Sequence, residues 1–243
     1  FLISPYLYHL HTIPSRMNNS LLVCLFLFVF ATTATGQSLQ FSAGAGADYG
    51  YTYRAQEQPG WPFLRGRHVL PLITPGLNRI TASGNIHTLR LLISSESDRL
   101  ESSDPQIGDA GKTVYYKNRV QYEIMFPLSE TGNRHQLFVG YTFSAAHSIF
   151  RFSPSSSVYF PRIYRGAMLE AGGCVQYRYP LKNGLSLYSG MTLNIIRTGL
   201  EMSRVDNPVL TREQQTNTIF EMDLLSGLLV HAGVCANLSP RKQ

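Results

Sequence analysis

The chain has 243 residues, of which 44% are hydrophobic, 12% aromatic and only 15% charged, with a formal charge of +6. That length fits one large all-β domain or two small domains, and past residue 36 no apolar run reaches the ~18 residues of a membrane-crossing helix. The positive charge is dispersed, with no basic run and no zinc-finger spacing, which argues against nucleic acid as a partner.

Residues 1–36 read as an upstream segment plus a targeting signal, with the mature domain at 37–243. From Met17 the chain runs "MNNSLLVCLFLFVFATTATGQS", and its apolar core Leu21–Ala31 is too short for a stable bilayer anchor. Small residues follow, and Ala34-Thr35-Gly36 fits a cleavage site before Gln37. Residues 1–16 precede this methionine and are expected to lie upstream of the translated start. The charged flank is poor, so an uncleaved interfacial helix is the alternative. Cys24 has no small residue before it, which counts against a lipoprotein signal.

The first element is "QFSAGAGADYGYTYR", residues 40–54. Phe41, Ala43, Ala45, Ala47, Tyr49, Tyr51 and Tyr53 share one face, while Asp48, Arg54 and three glycines share the other. Residues 56–97 are harder to read, because Pro71 and Pro75 weaken a central strand. The expected arrangement there is a strand at Arg67–Thr74, a turn at Pro75-Gly76-Leu77-Asn78, and a strand at Arg79–Ser94.

Beyond residue 113 the alternation is clear. "YKNRVQYEIMFPL" sets Tyr116, Val120, Tyr122 and Ile124 against Lys117, Arg119, Gln121 and Glu123. "QLFVGYTFSA" sets Leu137, Val139, Tyr141 and Phe143 against a face containing Gly140. "IYRGAMLEAGGCVQYRYPL" sets Leu169, Val175, Tyr177 and Tyr179 against Gly166, Glu170, Gly172, Gln176 and Arg178. "LSLYSGMTLNI" sets Leu187, Met191 and Leu193 against Ser186, Gly190 and Asn194. "TIFEMDLLSGLLVHAGV" sets Phe220, Met222, Leu224 and Val230 against Glu221, Asp223, Gly227, His231 and Gly233. Connections at 75–78, 129–135 and 182–184 are short, whereas 55–66, 95–113, 153–162 and 204–216 are long and polar. The two kinds alternate, giving eight antiparallel strands with short turns on one side and long loops on the other.

Which face points inward is decided by the polar one. It concentrates glycine, which weakens a solvent-facing strand, together with Asp48, Arg54, Lys117, Arg119, Glu123, Glu170, Arg178, Glu221 and Asp223. A narrow barrel with ions paired in its lumen and apolar side chains towards lipid accounts for both. Tyrosines near strand ends fit interfacial girdles. These nine charged residues form the candidate lumen network, with Arg54 and Glu221 expected at similar heights. The alternative is a secreted, soluble lipocalin-like barrel with an apolar interior ligand; its outside would carry more Lys and Glu than these Gly/Ser/Thr faces do.

No catalytic, cofactor or metal site is expected. His147-Ser148 has the residue types for acyl transfer on lipid, but strand neighbours point to opposite faces. His231 reads as a lumen histidine held by hydrogen bonds, and "GAGADYG" lies inside a strand and so does not make a phosphate loop. Cys174 and Cys235 fall on the inward face of non-neighbouring strands and are expected to be free, buried thiols.

The leader, "QFSAGAGADYGYTYR", the Gly-rich strand 163–181 and the turn/loop asymmetry together resemble the small OmpA/OmpX-like outer-membrane β-barrels of Gram-negative bacteria. The resemblance spans Gln37–Leu238 and implies an eight-stranded antiparallel up-and-down transmembrane barrel, exported and monomeric. It implies membrane lipids, including the lipopolysaccharide leaflet, and the barrel assembly machinery as partners, with no cofactor. The role it implies is structural or surface-interacting through the long loops, not that of an open porin; the alternative within the class is a lipid-modifying barrel enzyme. Such barrels commonly finish in an aromatic residue. This chain ends "GVCANLSPRKQ", so either the last strand stops near Leu238 or the native end differs.

Overall fold

A computed structural model describes residues 38–51, 67–101, 109–128, 134–155, 160–205, 209, 211 and 216–238. The leader and Arg54 lie outside the described residues, as do the side chains of Tyr51, Glu221 and Asp223. The strands are β1 (Ser38–Tyr51), β2 (Arg67–Ile73), β3 (Gly76–Ile80), β4 (Ile86–Glu101), β5 (Asp109–Pro127), β6 (Gln136–Pro154), β7 (Arg162–Pro180), β8 (Leu185–Val205) and β9 (Thr216–Asn237). No helix occurs among the described residues.

β2 and β3 are two halves of one crossing. Both pair with β1, through Ala45 opposite Ile73 and Ser42 opposite Gly76, without a change of register. They meet β4 in the same way, through Ile93 opposite Ile73 and Arg90 opposite Gly76. Pro75 has no N–H and interrupts the ladder locally. The flanking bonds survive: Thr74 N donates to Gly44 O and Leu91 N to Pro75 O, each at 2.9 Å. The chain therefore makes eight crossings, all antiparallel, and β9 pairs with β1 from Asn237–Gln40 to Gly227–Gly50 to close the barrel.

The turn expected at Pro75–Asn78 is absent, since Gly76, Leu77 and Asn78 belong to β3. The reversal comes at residues 81–85 instead. There Thr81 N donates to Asn85 O at 2.9 Å, Asn85 N donates to the Thr81 hydroxyl at 3.1 Å, and Gly84 takes a φ of 81°. A proline can interrupt a ladder without reversing the chain, whereas a hydroxyl-capped turn with a left-handed glycine closes a hairpin. The polar stretch 95–113 is also less of a loop than its composition implies. β4 runs on to Glu101 and β5 begins at Asp109, extending that hairpin by pairs such as Ser97–Val114.

Two irregularities interrupt the alternation near the middle of β8. Ala171 and Gly172 on β7 pair with Ile196 and Asn194, so Ile195 is an extra residue, and Leu225 and Ser226 face it on β9. Leu225 has a φ of 53° and both Ile195 and Ile196 are exposed. Bulges of this kind add local twist where a strand wraps a tight cylinder.

The outside is apolar across the middle of the barrel. Leu169 is 63% exposed, Tyr141 62% and Phe143 55%, while Glu170, the strand neighbour of Leu169, is 5% exposed. Tyr49 and Tyr116 ring the loop end, and Tyr122, Tyr177 and Tyr179 lie nearer the turn end. Two of these hydroxyls meet histidines on the outer face: Tyr177 Oη lies 2.5 Å from His135 Nδ1, and Tyr122 Oη lies 2.8 Å from His87 Nδ1.

Candidate functional site

The distinctive chemistry lies in the lumen, which is filled by side chains in layers ordered along β4 and β5. In the loop-side half of the lumen, Lys117 and Arg119 of β5 meet Asp48 of β1 and Glu170 of β7. Lys117 Nζ lies 3.0 Å from Asp48 Oδ2 and 3.6 Å from Glu170 Oε1. Arg119 reaches both acids, with Nη2 at 3.2 Å from Asp48 Oδ2 and Nε at 2.6 Å from Glu170 Oε2. Ser144 Oγ of β6 donates to the same Glu170 oxygen at 2.9 Å. Two cations and two anions thus balance, and all four side chains are at most 7% exposed. That closure in charge is what a desolvated ion cluster requires.

Beside it sits an apolar cluster of Leu72, Leu92 and Leu229, with Leu92 paired to Arg119 and Leu229 to Asp48 on the neighbouring strands. The lumen is therefore not lined by glycine and ions alone. A second apolar cluster of Ile86, Met125, Phe138 and Cys174 lies towards the turn end. Between them, Arg90 Nη2 pairs with Glu123 Oε2 at 3.1 Å, and Arg90 Nη1 donates across the lumen to Tyr188 Oη at 2.9 Å. Gln121 Nε2 donates to the other Glu123 oxygen at 2.7 Å. His231 packs edge-on to Tyr188, with ring centroids 5.7 Å apart. Gly190 makes the space for its ring, and Gly46 lets the His231 backbone come close. A Cβ on Gly190 would lie 2.6 Å from His231 Nε2, and one on Gly46 2.8 Å from His231 Cβ.

At the turn end, Arg178 of β7 is buried with neutral partners. Its Nη1 donates to Gln40 Oε1 at 2.9 Å, and Gln40 Nε2 passes the chain on to Asn237 Oδ1 at 2.7 Å. With its carbonyl oxygen turned towards Arg178, the Gln176 amide accepts from Nη2 at 3.1 Å and from Nε at 2.5 Å. The guanidinium carbon stands 5.8 Å from the Phe138 ring centroid.

Of the nine charged residues singled out in the sequence, the structure brings Asp48, Lys117, Arg119 and Glu170 into one cluster, puts Glu123 in a second with Arg90, and sets Arg178 apart. Arg54 and the side chains of Glu221 and Asp223 lie outside the described residues, and so does the expected Arg54–Glu221 proximity. Arg90 and Tyr188 were missed. Arg90 alternates with Leu89 and Leu91 in "HTLRLLIS", a signal obscured by the prolines upstream, and Tyr188 passes for a girdle tyrosine unless its parity with Ser186 and Gly190 is followed. His147 is exposed outside while Ser148 turns inward against Gly166, so the two do not converge. Cys174 and Cys235 are free and buried; the Cys235 sulfur accepts from Asn78 Nδ2 at 3.4 Å.

The chain matches no protein-family model and no curated protein sequence. Among solved structures it is similar to a major outer membrane protein from Thermus thermophilus, with a TM-score of 0.50 and 9% identity over 83% of this chain and 99% of that one. Neisserial surface protein A (NspA) aligns with a TM-score of 0.40 and 10% identity, over 84% of this chain and 98% of that one. Ail, the attachment invasion locus protein of Yersinia pestis, aligns with a TM-score of 0.32 and 8% identity, over 82% and 97%. The first likeness is one of fold: a closed antiparallel barrel of eight crossings.

Proposed function

We propose that this chain is an integral outer-membrane barrel, exported by its leader, that stands as a monomer in the bilayer and acts through its external loops. The observation that carries the reading is the inversion of the wall. Large apolar side chains such as Leu169, Tyr141 and Phe143 face outward at 55–63% exposure, while Asp48, Arg90, Arg119, Glu123 and Glu170 are sealed inside. In water that arrangement would expose a continuous apolar band and bury ions for no gain. In a bilayer the same band meets lipid tails at no cost, and barrels are the one β architecture without open edges there.

The neighbour that shares the fold is itself described as a major outer membrane protein, which supports the same location. Partners of this reading are membrane lipids, with lipopolysaccharide in the outer leaflet, and the barrel assembly machinery. The filled lumen favours a structural or surface-interacting role over an open porin, and the opposed faces of His147 and Ser148 favour a non-enzymatic one.

The test is cell fractionation combined with gel mobility. The protein is expected in the outer-membrane fraction, extractable only with detergent, and to migrate faster unheated than after boiling. Recovery in an aqueous supernatant without detergent would refute the membrane reading and favour a soluble barrel.

A further inference from the structure

Arg178 poses a problem of charge. The loop-end cluster balances two cations with two anions, and Arg90 is matched by Glu123. Arg178 is 3% exposed, yet the groups in direct contact with it among the described residues are neutral, namely Gln40, Gln176 and the face of Phe138, and Glu123, the carboxylate whose charge reaches it, is already paired with Arg90. A buried ion is ordinarily paired. Of the five N–H donors of a guanidinium, these contacts use three, so two remain.

Beside Arg178 a chamber of about 610 Å³ opens at the turn end of the lumen. Gln40, Phe138, Ser186 and Asn237 line it, and Lys182 of the β7–β8 turn stands at its rim. No carboxylate lines it among the described residues. A volume of this size lies within the range of small-molecule sites. The chamber therefore combines a desolvated guanidinium with spare donors, a second cation at the mouth, and amide groups already aligned by the Arg178–Gln40–Asn237 chain.

We infer that the turn-end chamber is an anion-binding site, in which Arg178 holds a carboxylate or phosphate group entering from the short-turn side, with Lys182 attracting it to the rim. This inference rests on the lumen geometry and stands independently of what the external loops contact. Carboxylate and phosphate share the two-oxygen face that a guanidinium grips, so the ligand class is an oxyanion and the experiment separates the two.

The experiment is isothermal titration of the full protein in a zwitterionic detergent micelle, with inorganic phosphate in one arm and acetate in the other. Saturable binding at millimolar concentration is expected in at least one arm, and the arm that binds identifies the oxyanion. Arg178→Gln is expected to weaken it at least tenfold, the scale of a charge-assisted hydrogen bond. Lys182→Glu changes an exposed turn residue, leaves the barrel packing intact, and is expected to weaken binding several-fold; it decides the matter if Arg178→Gln fails to fold. Absence of saturable binding in both arms would overturn the inference. So would binding that Lys182→Glu and a folded Arg178→Gln leave unchanged.

Discussion

Replacing Glu170 by Gln puts the charge balance of the lumen to a direct test. The Glu170 side chain is 2% exposed; it accepts from Arg119 Nη2 at 3.1 Å and from Ser144 Oγ at 2.9 Å, and stands 2.6 Å from Arg119 Nε and 3.6 Å from Lys117 Nζ. Hydrogen bonds to charged groups contribute about 1.5–3 kcal/mol each, so weakening two would cost up to about 3–6 kcal/mol. Asp48 still contacts both cations, at 3.0 and 3.2 Å, which holds the expected loss near the lower bound, about 3 kcal/mol. With a denaturant slope of about 2 kcal/mol/M, the urea midpoint should fall by about 1.5 M. The measurement is equilibrium unfolding in phospholipid vesicles, read as the fraction of fast-migrating folded band. Lys117→Met should also destabilise, since it leaves one surplus anion. The double variant retains one cation and one anion, Arg119 and Asp48, so it should cost about 2 kcal/mol less than the sum of the singles. If the two losses add within about 0.5 kcal/mol, the four groups do not act as one balanced cluster and the reasoning fails.

Three further outcomes are expected. Arg substituted for Leu193 or Phe143 on the outer face should cost about 2–4 kcal/mol in the same vesicle assay, whereas a water-facing position would tolerate it almost freely. Gly190→Ala should lower the thermal midpoint of the folded band, because the new methyl group meets the His231 ring at 2.6 Å; adding His231→Ala should recover part of the loss, and an unchanged midpoint would mean that the ring is not held there. Cys174 and Cys235 should resist maleimide in the folded protein and both react after denaturation, read by mass; rapid labelling of either one while folded would contradict their burial.

Period-two parity carries far in this chain where strands are long and free of proline. In β5 the run from Tyr116 to Ile124 is enough to assign Lys117, Arg119 and Glu123 to one face, because a strand offers its side chains only two directions. Parity says nothing about height. Which cation meets which acid follows from the stagger of eight strands and the closure of β9 on β1, and no single strand carries that information. Parity also fails wherever the ladder is irregular. Pro75 mimicked a turn although the register on either side of it is continuous, while the true reversal at 81–85 depends on a threonine hydroxyl and a left-handed glycine that local composition barely marks. The apolar lumen layers were equally hidden. Leu92 and Leu229 each sit between two apolar neighbours that face lipid, so both faces look alike there.

In the loop-end ion cluster β5 and β7 flank β6, and Asp48 of β1 reaches their charged side chains from across the lumen. An open, half-formed sheet would leave Lys117, Arg119 and Glu170 without Asp48, with their charges facing a gap. Sealing the seam and neutralising the interior are thus one event, so insertion has an electrostatic latch that rewards the complete ring and penalises every arc short of it.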